Sequence, residues 1–572
     1  MAINTESVHD VDGRSARRPA DGPLRTLLAT AAMGLAFMAV GAQLVRLALS
    51  NQTTLSATLN ETVAQSFARP DIVDRNGRLL ATDVEAYSLF ADPARVIDRD
   101  EVIEKLAMVF PDLDRAAMRR DLADRDRRFV WIRRGLSPRI AQRIHNFGLP
   151  GIDFRRELRR AYPAGALAGH VIGYVNIDNK GVAGIERYVD ELGAVEAVHG
   201  TTLTERPPVR LSLDIGVQHA VEAELTAAIS RFQAKGAAGI VMDVSSGEVL
   251  ASASFPTVDP GRPEMSLETS RLDKITSGTY ELGSVFKALT VAMALDSALV
   301  TPDTVFDVRK ELKSGRFTIK DLHPARRPYS VAEILEHSSN VGAAMLGLKV
   351  GSQGFQDFLR KLHLLDPIKT EAGGVAAPLL PKRWGEIEVI TASYGHGIAL
   401  APLQFAAAAS SLINGGRKIS PTFVKTSADV GGEATPVLSS STSDTMRDLM
   451  RRTVASGTGR RAEVSGYQVG GKTGTAELPG PGGYRKKAVI SSFLGAFPID
   501  RPKYLVFVLL FEPQGTDDAD GEILASRNAA PTAGRIISRI GPLLGMLPSQ
   551  AALPGRSGSM FDASRLAQYE NR

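Results

Sequence analysis

Ser284 and Lys287, within Tyr280-Glu281-Leu282-Gly283-Ser284-Val285-Phe286-Lys287, are the residues whose types and spacing most directly suggest chemistry. On a helix, side chains three positions apart share a face, so the lysine amine can deprotonate the serine hydroxyl. The following positions (Ala288, Leu289, Val291, Ala292, Met293, Ala294, Leu295) are apolar nearly all round, which predicts a buried helix. Burial disfavours the ammonium form of lysine and lowers its pKa, turning the amine into a general base. Such a pair is a nucleophile with its activator. Yet a serine and a lysine at this spacing occur by chance about twice in a chain of this length, and an arbitrary match is a surface serine beside a solvated lysine.

Two further stretches remove that ambiguity. His337-Ser338-Ser339-Asn340 is an S-x-N triplet at an expected helix end, and Gly470-Gly471-Lys472-Thr473-Gly474-Thr475-Ala476 is a glycine-flanked K-T-G-T. The K-T-G-T string has a chance expectation of roughly a few per cent in a chain of this size. Ser284 attacking a carbonyl would form an acyl-enzyme, splitting one hard acyl transfer into two easier ones. The backbone N–H groups of Thr475 and Ser284 are the natural donors to the oxyanion, each worth about 3 kcal/mol of barrier. Gly474 lets that backbone approach closely.

The three stretches, in this order, resemble the signature of the penicillin-binding proteins and serine β-lactamases. The likeness extends over roughly residues 65–545. Arg69-Pro70-Asp71 through Arg75-Asn76-Gly77-Arg78 to Ala81 is similar to the motif that opens the pedestal of class B penicillin-binding proteins. Arg160-Ala161-Tyr162-Pro163, the stretch from His170 to Gly173, and Gly181-Val182-Ala183-Gly184-Ile185-Glu186 resemble its later motifs. Leu282 and Val285 stand where the family commonly has proline and threonine, and the signature around Glu371 to Pro381 is degenerate. None of these departures removes a catalytic group. Tyr394-Gly395-His396-Gly397, followed by Pro402-Leu403-Gln404, is again similar to the family.

The resemblance implies a role for each site residue. Ser284 is the nucleophile and Lys287 its base; Ser338 relays a proton to the leaving nitrogen; Asn340 hydrogen-bonds the substrate backbone or Lys287. Lys472 keeps the pocket positive, and Thr473, Gly474 and Thr475 form the substrate-binding strand, with the two threonines on a terminal carboxylate. The implied acyl donor is the D-Ala-D-Ala end of a peptidoglycan stem peptide and the acceptor an amine on a neighbouring stem, so the reaction is D,D-transpeptidation, with β-lactams as inhibitors. No metal or organic cofactor is required.

The bulk properties agree with an ordinary multidomain protein: 572 residues, 23% charged, 44% apolar, net charge +5. No basic stripe interleaved with aromatics points to nucleic acid, and the absence of cysteine excludes disulfides and Cys-ligated metals. Residues 1–23 are polar, with Arg14, Arg17 and Arg18, and are expected to be a disordered tail. Residues 26–45 form a charge-free run of 20 positions between Arg25 and Arg46, which predicts a single membrane span over 24–46 with a cytoplasmic N-terminus and a periplasmic catalytic domain. Residues 47–60 read as a stalk within a pedestal over 47–206.

Pro207-Pro208 marks the boundary of the next domain, 207–547, before a loose tail over 548–572. Strands are expected at 238–244 and 248–255, joined by Ser245-Ser246-Gly247, and again at 469–477, 488–497 and 504–511, with helices between and a closing helix over 535–545. Two early and three late strands give an antiparallel sheet with members far apart in sequence. The resemblance makes this the α+β penicillin-recognising fold, a five-stranded antiparallel sheet with helices on both sides. Arg69, Arg160 and Glu186 are expected to stitch the pedestal together through buried ion pairs, and the arginine-rich 125–134 to be a solvated face.

Three readings compete with a septal, cell-division transpeptidase. A secreted β-lactamase shares the triplet but has no reason for an anchor and pedestal. A catalytically inactive scaffold or β-lactam sensor would not retain every acylation side chain. The elongation-type class B transpeptidase is the sibling, against which Val175-Asn176-Ile177-Asp178 and Gly471 to Glu477 favour the septal type. A septal enzyme implies partners: a membrane glycosyltransferase of the shape, elongation, division and sporulation (SEDS) family and divisome proteins.

Overall fold

The computed structural model describes residues 27–46 except 29 and 44, then 66–198, 206–426, 435–480 and 483–549. The expected tail over 1–23, the stalk over 47–60 and the C-terminal tail beyond 549 lie outside the described residues. The chain divides into two units, Met1–Gln65 and Ser66–Arg572. In the first, residues 27–28, 30–43 and 45–46 are helical and expose Leu27, Leu35, Phe37 and Met38. Among the described residues no helix is long and apolar enough to cross a membrane.

The second unit begins with a sheet built on one long strand, Leu79–Ala91, which pairs antiparallel with Val130–Leu136 on one side and Ile152–Ala161 on the other. Two helices follow, Arg99–Val109 and Arg115–Asp121, capped by the carboxylates of Asp98 and Asp114. Pro111 separates them, since proline offers no N–H to continue a helix. Leu89, Val102, Ile103, Leu106 and Leu136 form the local core. Arg127, Arg128 and Arg133 pair on the surface with Asp121, Asp92 and Asp112, as expected of a solvated face.

Arg69, Arg160 and Glu186 form the buried cluster their types suggested. Glu186 accepts from Arg69 Nε at 2.9 Å and from Arg160 Nε at 2.7 Å, and Arg160 also reaches Asp83 Oδ1 at 3.1 Å and the Pro70 carbonyl at 2.8 Å. Asp190 adds a second carboxylate on Arg69. The cluster thus joins the chain entering the pedestal, its long strand, its third strand and the helix Gly184–Glu191. Desolvating these charges is offset only because each guanidinium is answered by several acceptors at once.

Five strands form the second sheet: β1 (Gly236–Asp243), β2 (Val249–Phe255), β3 (Gly470–Gly480), β4 (Gly483–Phe497) and β5 (Tyr504–Phe511). Their order is β3-β4-β5-β1-β2, antiparallel throughout. Every residue of β5 is buried, and its two faces divide with period two. Leu505, Phe507 and Leu509 share a core with α2 (Lys287–Asp296) and with the helix Pro402–Ser410, whose Phe405 ring lies 5.6 Å from that of Phe507, whereas Val506, Val508 and Leu510 share a core with α1 (Ile215–Arg231) and the closing helix α5 (Ala529–Leu543). Helices on both faces explain why β5 reads as an unbroken apolar run.

The structure shifts several expected boundaries. β3 and β4 run on past 477 and begin before 488, meeting in a hairpin, because Pro479↔Tyr484 and Gly480↔Gly483 still pair after an irregularity at Glu477. The closing helix begins at Ala529, six positions before the expected start, with Asn528 at its N-cap. Pro548 and Ser549 are not loose: the Ser549 N–H donates to the Gly466 carbonyl at 2.8 Å, and a side chain at Gly466 would collide with Pro548.

Replacing Arg160 by alanine leaves Glu186 and Asp83 buried without their shared cation. We expect Arg160→Ala to destabilise the fold by about 3–5 kcal/mol, read as a lower midpoint in urea unfolding.

Candidate active site

The site is assembled where a turn, a helix end and a strand edge converge. Gly283–Phe286 is a 3-10 turn that leads directly into α2 at Lys287. This refines the sequence expectation, which put both residues in one regular helix. Positions i and i+3 of a 3-10 turn share one face, which keeps Ser284 and Lys287 on the same side where the turn passes into α2. The rest of α2 is buried around Lys287, including Ala288, Leu289, Val291 and Ala292.

Close backbone contact holds the turn against β3. Gly283 has φ +59°, and a side chain there would stand 2.7 Å from the Thr475 carbonyl oxygen. A Cβ on Gly474 would lie 2.6 Å from Ser492 Oγ and 2.8 Å from the Leu282 carbonyl oxygen. Only glycine permits this approach, which brings the Ser284 turn against the strand segment carrying Thr475. β3 is also an edge strand, so its outer side is free of a sheet neighbour.

Ser338 and Asn340 come from the junction between α3 (Val331–Glu336) and α4 (Asn340–Lys361). Ser338 is held at φ +61°, a left-handed conformation that is strained for any side chain and costs of order 1 kcal/mol. It is stabilised by what it allows: Lys287 Nζ donates to the Ser338 carbonyl at 2.6 Å and approaches Ser338 Oγ at 3.1 Å, with Asn340 Oδ1 as a third partner at 2.7 Å. Lys472 Nζ reaches the same Ser338 Oγ from the opposite side at 2.9 Å and donates to the Thr473 carbonyl at 2.9 Å. One hydroxyl therefore sits between two lysines.

Both lysines are fully buried. Burial brings the Lys287 pKa down to about 7, with the Asp321 carboxylate pulling the other way. Burial, reinforced by the charge of Lys287, holds Lys472 well below the ordinary lysine range. That direction runs against the expectation that Lys472 keeps the pocket positive, because a like charge at the same hydroxyl disfavours a second ammonium in a desolvated site.

Asp321 escaped the sequence reading, because nothing in Lys320-Asp321-Leu322 marks it as different from any surface carboxylate. Its carboxylate accepts from Ser339 Oγ at 2.7 Å, from the Val341 N–H at 3.0 Å and from the Asn340 N–H. It thereby caps α4 and fixes the junction that presents Ser338 and Asn340 to Lys287.

These groups open onto a cleft of about 930 Å³ whose lining includes Ser284, Ser338, Asn340, Thr473 and Thr475. Lys287 and Lys472 lie beneath it, reaching it through Ser338. Thr473 Oγ1 hydrogen-bonds Thr458 Oγ1 at 2.8 Å, and Thr475 Oγ1 accepts from the Ala525 N–H at 3.1 Å, so residues 456–458 and 523–526, also missed in the sequence, form the part of the wall next to β3. The structure thus gathers Ser284, Lys287, Ser338, Asn340, Lys472, Thr473, Gly474 and Thr475 from three distant stretches into one site. What this arrangement can do is acyl transfer by a serine with a buried amine of lowered pKa three residues along the chain. Among the described residues there is no cluster of His, Asp or Glu suited to a metal ion.

Two measurements follow from this geometry. With neutral Lys287 acting as the base, the acylation rate should rise with pH through about 7 and level off above it; replacing Asp321 by asparagine removes the charge that raises this pKa and should move the rise to lower pH, as read from pH–rate profiles of penicillin acylation. Gly474→Ala should slow acylation by about a hundred-fold, since a displacement near 1 Å is enough for such a loss; stopped-flow acylation kinetics measure it.

Comparison with known proteins agrees with both halves of the structure. The penicillin-binding protein transpeptidase domain matches residues 237–536, and the penicillin-binding protein dimerisation domain matches residues 65–192. The chain is 39% identical over 488 residues to a protein named probable peptidoglycan D,D-transpeptidase FtsI from Caulobacter vibrioides, covering 84% of this chain and 82% of that one. It is 28% identical over 501 residues to peptidoglycan D,D-transpeptidase FtsI of Escherichia coli, covering 83% of each. A solved structure described as a putative peptidoglycan glycosyltransferase from Atopobium parvulum superposes with a TM-score of 0.63 at 25% identity, over 84% of this chain and 99% of the other. With a transpeptidase domain, a dimerisation domain and a serine–lysine site in that domain's cleft, the chain belongs to the class B penicillin-binding protein family of transpeptidases.

Proposed function

We infer that the protein is a serine D,D-transpeptidase that cross-links peptidoglycan stem peptides during septal wall synthesis and is a target of β-lactams. The observation that carries this reading is the Ser338 hydroxyl held between two buried lysines, one of them three residues from Ser284.

In this reading neutral Lys287 takes the Ser284 proton as Oγ attacks the carbonyl of the penultimate D-Ala. The oxyanion is received by the N–H groups of Ser284 and Thr475, fixed in place before the reaction and worth about 3 kcal/mol each. The carbon–nitrogen bond breaks as the departing D-Ala nitrogen collects a proton through Ser338, which both lysines touch. Thr473 and Thr475 bind the donor's terminal carboxylate, and Asn340 hydrogen-bonds the peptide while fixing Lys287. The open edge of β3 offers main-chain hydrogen bonds to an extended stem peptide. The acyl-enzyme is then resolved by an amine on a neighbouring stem, and a β-lactam stops at the acyl stage. An inactive scaffold would have no use for a buried lysine three residues from an intact serine.

The same reading sets the enzyme on the outer side of the inner membrane, anchored by a single span over 24–46 with the N-terminus in the cytoplasm. The charge-free run over 26–45 and the arginines ahead of it support this. A SEDS-family glycosyltransferase and divisome proteins are the partners it implies.

Ser284→Ala should abolish the covalent adduct formed with a penicillin while leaving the unfolding transition intact, and Lys287→Ala should slow the adduct by about 10² to 10⁴-fold. Intact-mass analysis with peptide mapping decides the point, and an undiminished adduct on the Ser284→Ala protein would refute the assignment.

A further inference from the structure

One wall of the cleft carries a second base that acylation does not use. His396 lines the cleft together with Ser284, and its loop touches the nucleophile turn directly, the Gly283 N–H donating to the Gly395 carbonyl at 3.2 Å. The imidazole is oriented as a base would be. Its Nδ1 lies 3.4 Å from Glu281 Oε2. That carboxylate is itself fixed, by the Tyr484 hydroxyl at 2.8 Å and by the Gly397 N–H at 2.9 Å. Burial pushes Glu281 up, but the hydrogen bonds from His396, Gly397 and Tyr484 outweigh it and hold the group below the usual range, as a carboxylate. The rings of Tyr394 and Tyr484 flank the imidazole at 5.3 and 5.6 Å. With Nδ1–H committed to Glu281, Nε2 is the nitrogen left for a substrate.

The second half-reaction has a proton that the Ser284–Lys287–Ser338 set does not absorb. An alkylamine acceptor reaches the acyl-enzyme as an ammonium. It must lose one proton before it can attack and a second as the amide forms. The second returns to Ser284 Oγ through Ser338, reversing acylation. The first needs another base if Lys287, left neutral once the departing D-Ala nitrogen has collected its proton, is to stay free to relay the second. His323 and His337 also line the cleft, but among the described residues neither is oriented by a carboxylate.

We propose that His396, oriented by Glu281, is the general base that deprotonates the acceptor ammonium. The inference rests on the transpeptidase reading. The steps balance: an acceptor R–NH₃⁺ gives one proton to His396 Nε2; the free amine attacks the acyl carbon; the bond from that carbon to Ser284 Oγ breaks; the second proton passes to Oγ; the third stays on the new amide. The imidazolium, neutralised by Glu281, then releases its proton to solvent.

The test uses the full-length protein, a D-alanyl thioester as donor, and two acceptors in turn. D-Alanine is an ammonium at neutral pH, whereas hydroxylamine is already a free amine. The readout is the ratio of aminolysis to hydrolysis of the acyl-enzyme, which does not depend on how fast that intermediate forms. We expect His396→Gln to lower the ratio for D-alanine by about a hundred-fold and to leave the ratio for hydroxylamine within two-fold. Glu281→Gln, which keeps the imidazole but removes its orienting partner, should give the same acceptor-dependent deficit to a smaller degree, and serves if His396→Gln does not fold. An equal loss with both acceptors, or no loss with either, overturns the proposal. If the unsubstituted protein forms no acyl-enzyme from the thioester, the transpeptidase reading itself falls, and the proposal with it.

Discussion

The burial of the Lys287 amine is the constraint on which the site depends. A lysine removed from water keeps its proton poorly, and here burial brings it near neutrality with Asp321 opposing. The three groups around Nζ, namely the Ser338 carbonyl, Ser338 Oγ and Asn340 Oδ1, satisfy the amine in either protonation state, because a hydroxyl can donate as well as accept. The apolar run of α2 is thus more than packing. It excludes the water that would otherwise keep the ammonium charged, while the polar groups come from elsewhere in the chain.

That arrangement requires three backbone segments to meet at distances that side chains would forbid. The nucleophile turn lies against β3 through Gly283 and Gly474, and Ser338 accepts a left-handed conformation so that both its carbonyl and its hydroxyl face Lys287. Asp321 stabilises this strained junction by capping α4, so one carboxylate both fixes the geometry and biases the proton equilibrium. The sheet supplies rigidity beneath: β5, buried on both faces, shares one core with α1 and α5 and the other with α2.

The pedestal solves its structural problem differently. Beside an apolar core built on Leu89, Val102, Ile103, Leu106 and Leu136, it buries the paired charges of Arg69, Arg160, Glu186 and Asp83. Such a cluster tolerates no vacancy, because losing one partner leaves the others uncompensated in a desolvated site. It therefore specifies geometry more than it adds stability.

The sequence by itself determined the elements whose signal is local. The unbroken apolar run of β5, the apolar run of α2 and the Ser245-Ser246-Gly247 turn are written in neighbouring residues, and the three motifs pointed to Ser284, Ser338 and Lys472. The sequence also anticipated a lowered Lys287 pKa, since an apolar helix around a lysine leaves little alternative. Only the tertiary structure decided what depends on approach between distant segments. It made Ser338 the shared partner of both lysines, placed Lys472 beneath the cleft where burial and Lys287 suppress its charge, and turned Asp321 from an ordinary surface carboxylate into the cap of α4. It likewise brought His396 and Glu281, 115 positions apart, to 3.4 Å. The physical reason is the same in each case: desolvation and charge coupling are properties of a place in space, and a residue's sequence neighbours do not fix which distant groups will share it.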